Sequence, residues 1–251
     1  MRCKSKSKIS TYPIRLNKRG SHVGVILSLL IFLGFILFLY VALEPVITTD
    51  EGEQVLLDTL KITLMEKVSE NLTAVTIFIN ESYTSGEGCI EIAHLAETAG
   101  LNSIVKDQDG TIINSNSTQN DLRIEWEDKR FFKVYYSNES FNSYPAGEVT
   151  CVSPEEDTEY SIGLVREDKQ IFETKIIELK NTYESDYSTL RRELNVPGDN
   201  DFGFDFEYAN GTIIEAGSAS SQSNIYIEGV PIQYIDREGN ISSGEIKIKV
   251  W

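Results

Sequence analysis

Few side chains that could carry catalysis sit in useful company. One histidine, His94, lies in the stretch CIEIAHLAETAG, and the other, His22, directly precedes a long apolar run. Acyl transfer needs a nucleophile, a base and an acid that orients the base. No serine sits in G-x-S-x-G, and the chain has no P-loop, dinucleotide fingerprint or H-E-x-x-H. Carboxylates number 39 in 251 residues, so chance pairs are inevitable and no glycosidase dyad stands out. The expectation is a non-enzyme without cofactor, with no catalytic, cofactor-binding or metal-binding residue to assign.

Calcium chemistry has two candidate stretches. GDNDFGFD brings Asp199, Asp201 and Asp205 close to two glycines. An EF-hand loop beginning at Asp199 requires Gly at its sixth position and Glu at its twelfth, where this chain has Phe204 and Asn210. The second stretch, DQDG from Asp107 to Gly110, reads more simply as a hairpin turn. Transition-metal sites are disfavoured by the lack of any closely spaced cysteine pair.

The cysteines carry a different chemistry. Cys3 precedes the apolar run, whereas Cys89 and Cys151 follow it. A bond between the latter two would close a loop of about 60 residues and stabilise by about 4 kcal/mol through chain entropy. Sequence alone does not bring their Cα atoms within bridging distance, so free thiols remain the alternative. N-glycosylation acceptors are numerous: Asn71, Asn80, Asn116, Asn138, Asn210 and Asn240, all beyond the apolar run.

That run decides where these groups reside. Val23 to Leu43 is 21 residues without a charge, a helix of about 31 Å against a hydrocarbon core of about 30 Å. Before it stand Arg2, Lys4, Lys6, Lys8, Arg15, Lys18 and Arg19 with no acid; after it come Glu44, Asp50, Glu51 and Glu53. Cations stay on the cytoplasmic side, which predicts an inner N-terminus and an outer C-terminal region. Tyr40 suits an interface, and Pro45 is expected to stop the helix. A cleaved signal fits less well, because its apolar region is usually about 7–15 residues long and small residues precede the cut, where LYVALEP has Tyr40.

Composition excludes one class of partner. Residues 44–251 hold 16 basic and 39 acidic residues, a balance of −23, so no general positive field attracts nucleic acid. A solvated acidic surface is the plain reading.

Patterning predicts a mixed α+β outer domain of antiparallel hairpins and two amphipathic helices behind the single transmembrane helix. Residues 50–71 read as a juxtamembrane helix, with Val55, Leu56, Leu60, Leu64 and Val68 on one face. LTAVTIFIN alternates as a strand through Val75, Ile77 and Ile79. LRIEWEDKRFFKVYY and EYSIGLVREDKQIF read as hairpins about their EDK and REDK turns. A second helix covers ETKIIELKNTYESDYSTLRREL, with Ile176, Leu179, Tyr183, Tyr187, Leu190 and Leu194 recurring at steps of three and four. Strands FGFDFEY, TIIEA, NIYIEGVPIQYI and GEIKIKVW follow, separated by Asn210-Gly211 and DREGN turns. The expected organisation is a basic cytoplasmic tail (1–20), a membrane helix (21–45), a juxtamembrane helix (46–71) and an outer domain (72–251). Because each helix precedes a strand, the outer part divides into two helix-plus-sheet halves near residue 166.

The tripeptide KRG before the apolar helix resembles the N-terminus of archaeal type IV pilin-like proteins, whose precursors are cut after a glycine that follows basic residues. The resemblance places such a processing site after Gly20. The chain departs from that pattern at Val25, where those proteins carry Glu, and at Pro45, which falls inside their filament stem. TYESDYSTLRRELNVPGDNDFGFDFEYANGTIIEA and GVPIQYIDREGNISSGEIKIKVW, with the KRG and anchor, resemble a group of uncharacterised archaeal membrane proteins with pilin-like N-termini. The resemblance covers about a third of the chain and implies an archaeal envelope protein. The expected partners are the lipid bilayer, through residues 23–43, and other envelope or pilus-like proteins. The alternatives are a minor pilin and a membrane-tethered domain that binds a solute or cation.

Overall fold

The computed structural model describes residues 22–83, 88–95, 102–118, 120–126, 128–147, 150–218 and 224–251, with backbone alone over 43–51. Gly20, Cys3 and the basic tail lie outside the described residues. The chain forms two units, one up to Gly52 and one from Glu53 to Trp251.

In the first unit, His22–Ala42 has a mean hydropathy of 2.9 over 21 residues, with none of it buried. Among the described residues it is the one stretch long and apolar enough to cross a membrane. It opens α1 (His22–Lys67), and the helical backbone runs on through Pro45. The expected stop at Pro45 is therefore corrected. Proline forfeits one backbone hydrogen bond and crowds the preceding turn, but helix on both sides carries the chain across.

The second unit begins within α1. Leu56, Leu57, Leu60, Leu64 and Val68 are buried, whereas Val55, expected on the inner face, is 65% exposed. One residue after α1 the chain enters β1 (Ser69–Ile79), whose Val75, Ile77 and Ile79 are buried as their alternation requires. Strands β2 (Cys89–Ile92), β3 (Ser103–Lys106), β4 (Ile112–Ile113), β5 (Ser115–Ser117), β6 (Leu122–Glu125), β7 (Phe131–Ser137) and β8 (Tyr160–Phe172) follow. Then come α2 (Glu173–Ser185), α3 (Tyr187–Glu193), β9 (Phe202–Tyr208), β10 (Ile213–Ala216), β11 (Tyr226–Ile235) and β12 (Ile241–Val250).

Nine strands form one sheet in the order β10-β9-β12-β11-β8-β1-β7-β3-β4, and β2-β6-β5 form a second. Every pairing is antiparallel except β11 with β8. The hairpin turns follow their sequence signals: Gly110 and Gly211 both sit at φ +82°, where a side chain is strained.

Two hydrophobic clusters hold the layers. Leu60, Leu64, Ile176, Leu190 and Leu194 from the helices pack on Phe204, Phe206, Ile246 and Ile248 of the late strands. The small sheet's Ile90, Ile92, Leu122 and Ile124 pack on Val75, Ile77, Phe132 and Val134 of the large one. Burial of such surface is the main favourable term in folding.

Four expectations change. Both amphipathic helices share the first cluster, so they do not head separate halves. No break falls at 166, because β8 runs unbroken through REDK. Its antiparallel partner β1 spans both sides of that tetrapeptide, pairing Glu70 with Gln170 and Val75 with Val165, and so holds it extended. The EDK segment joins two sheets instead of closing a hairpin: β6 lies in the small sheet and β7 in the large. The second helix divides at Asp186 (φ −147°, ψ 63°), whose side chain caps α3 by accepting from the Thr189 N–H.

Candidate functional site

The residues singled out for chemistry are dispersed. His94 is exposed on a turn at φ 59°, its backbone N–H donating to Asp121 Oδ1 at 3.0 Å. Asp199 is exposed; Asp201 accepts from the Tyr187 hydroxyl at 2.9 Å; Asp205 pairs with Lys249 Nζ at 2.6 Å on the other face of β9. Burial pushes the Tyr187 hydroxyl up to about 12. Asp201 and Asp205 thus have separate partners. Among the described residues no three His, Cys, Asp or Glu side chains are placed to hold a metal ion.

DQDG forms the β3–β4 turn. Asp107 Oδ1 accepts from the backbone N–H groups of Asp109 (3.0 Å) and Thr111 (2.9 Å), and Oδ2 meets Lys129 Nζ at 2.5 Å. The Lys129 hydrogen bond, helped by those backbone donors and opposed by burial, holds the Asp107 carboxyl below its usual range. A depressed folded-state value stabilises above the unfolded carboxylate's pKa of about 3.9 and loses that stability as pH falls through the folded value. Asp107→Asn is therefore expected to cost about 1–2 kcal/mol at neutral pH and progressively less as pH falls below about 4, read as the difference between thermal melts.

Cys89 and Cys151 form a disulfide, with Cα atoms 4.5 Å apart. The bridge sits beside the small sheet, where Glu91 N–H donates to Val152 O and Val152 N–H to Cys89 O. All six sequon asparagines, Asn71, Asn80, Asn116, Asn138, Asn210 and Asn240, are exposed.

The sequence reading missed a groove of about 330 Å³ on the large sheet, bordered by Leu72, Thr76, Tyr135, Leu164, Ile235 and Ile241. Two lysines meet beside it. Lys106 and Lys133 stand directly opposite each other across β3 and β7, and both lie over the Tyr135 ring, at 5.9 and 5.1 Å from its centroid. Lys106 is buried and donates to Gly239 O (2.9 Å) and Asn240 Oδ1 (2.7 Å). Burial drives its pKa below the usual lysine value, opposed by Asp236 and Glu238 and aided by Lys133. Lys133 is exposed and has no ion-pair partner among the described residues.

Along one side of this groove runs β8. It pairs with β1 from Tyr160 to Ile171, but β11 meets it only at Ile171 and Phe172. Among the described residues, the opposite edge from Ser161 to Gln170 therefore pairs with no strand. The signal for it was present: YSIGLVREDKQIF holds only one glycine and no Pro or Asn, too little turn chemistry for a hairpin.

Comparison of the chain with protein-family models, with curated proteins and with solved structures finds no match in any of the three.

Proposed function

We propose that this chain is a single-pass, membrane-anchored surface protein whose outer domain has a structural or interaction role in an archaeal envelope. The observation that carries this reading is the His22–Ala42 helix, apolar throughout and wholly unburied. A helix that is apolar on every side needs an apolar solvent. The basic flank before it and the acidic flank after it favour an N-terminus inside and residues 53–251 outside. The Cys89–Cys151 bridge and the exposed sequon asparagines suit an oxidising exterior. The KRG resemblance adds a pilus-associated role in which cleavage after Gly20 precedes assembly.

Alkaline carbonate should leave the protein in the membrane pellet, and protease added to sealed protoplasts should digest the region beyond Gly52. Recovery of that region with the cytosol, or its survival under protease, would overturn the reading. The intact mass of protein from native membranes decides the pilus role: a chain beginning at Ser21 supports it and one beginning at Met1 removes it.

A further inference from the structure

We propose that the groove at Tyr135 binds a small monoanionic amphiphile, a carboxylate with an unbranched apolar tail. The concavity follows from strand order and side-chain size. β1 lies between β7 and β8, and its Ala74 stands directly opposite Tyr135 on one side and Arg166 on the other. Thr76, next along that face of β1, stands opposite Lys133. Residues directly opposite in a ladder share a face of the sheet. A methyl group between two long side chains leaves a trough, floored by Ala74 and Thr76. Ile235, which ends β11, and Ile241, which opens β12, border it. Lys106 holds the turn between them by donating to Gly239 O and Asn240 Oδ1, so two of its three N–H groups are committed.

Two properties of the lining select the ligand. Its apolar part is open to water: Leu164 and Ile241 are 71% and 68% exposed, and an apolar tail laid along them covers that surface. Its charged part sums to +1. Lys133 and Arg166 stand against one acid, Asp168, and Arg166 and Asp168 neutralise each other as an ion pair. What is left is the Lys133 ammonium, 5.1 Å from the Tyr135 ring centroid and paired with no acid among the described residues. In a domain with so large an acidic excess, a single unanswered cation beside an apolar trough singles out one negative charge. A neutral lipid leaves the ammonium unanswered, and a phosphate dianion overcharges it. A volume of about 330 Å³ lies at the small end of ligand sites, which suits a free small molecule and not a folded partner. The site is a property of this sheet face alone, on whichever side of a membrane the domain lies.

Photocrosslinking tests it with the full-length chain in lipid nanodiscs, using a diazirine derivative of decanoate as probe and peptide mass mapping as readout. Adducts on His22–Ala42 report probe dissolved in the bilayer and serve as the internal reference, so a silent groove leaves the anchor untouched. Adducts should appear on the peptides that carry Leu164 and Ile241. Excess decanoate should displace them, and decanol should do so about tenfold less effectively. Lys133→Glu should lower the labelling of these peptides, relative to the membrane helix, by about tenfold, and Lys133→Arg should keep it. Ala74→Leu fills the floor while leaving Lys133 in place and should abolish it. A retained Cys89–Cys151 bridge, read by mass, distinguishes lost binding from lost fold in each variant. No adduct on either peptide, displacement by decanol as effective as by decanoate, or labelling indifferent to Lys133→Glu or to Ala74→Leu would each overturn the proposal.

Discussion

Cys89→Ser is expected to lower the stability of the outer domain by about 4 kcal/mol, the chain-entropy value for a loop of this length. The bridge spans 62 residues, and that loop contains β2 to β7, nearly all of the domain's N-terminal half. Without the bond, the unfolded chain regains the freedom that closure removed. The folded chain keeps the two hydrogen bonds that tie Val152 to the backbone of Cys89 and Glu91. For a domain of this size the melting temperature should drop by about 10 °C. The reduced wild-type protein should melt close to the variant, which a calorimetric scan with and without reductant would check. A variant melting within a degree or two of the oxidised wild type would show that the loop is held by packing and not by its staple.

Phe204→Ala should cost about 3–5 kcal/mol, the range for deleting a buried aromatic ring. Phe204 is 1% exposed in the middle of β9, opposite Ile248 of β12 on one side and Ala216 of β10 on the other. Its ring meets Tyr183 edge-on at 6.2 Å, in the layer where α2 lies on the sheet. Tyr183 cannot follow the lost ring inward, because its hydroxyl donates to Phe202 O at 2.8 Å. The site therefore collapses little and keeps most of the cavity. Ile213→Ala, on neighbouring β10 at 56% exposure, should change stability by no more than about 0.5 kcal/mol. Denaturant titration of the two variants would give the contrast. Equal losses would mean that the helical layer does not seal this face.

Local periodicity was legible wherever one neighbour decided the outcome. Ile246, Ile248 and Val250 alternate with Lys247 and Lys249, and the three apolar residues are buried at 3%, 0% and 0%. The Asn210-Gly211 and Asp109-Gly110 turns likewise follow from chemistry inside four residues. What escaped was set by distant partners. The charges of REDK read as a turn although little turn chemistry surrounds them, and it is β1, about a hundred residues earlier, that fixes them extended. Asp186 read as one more helical position, because nothing in the pattern distinguishes a side chain that caps from one that points to water. The groove at Tyr135 gathers residues from β1, β3, β7, β8 and the β11–β12 turn, and no linear pattern brings those together.

The join between α1 and β1 has a mechanical consequence. Only Val68 separates the helix from a strand clamped by β7 along one flank and β8 along the other. A pull on the C-terminal part of α1 meets first its own packed face, Leu56, Leu57, Leu60 and Leu64, and passes on to β1 through that one residue, where two ladders share it.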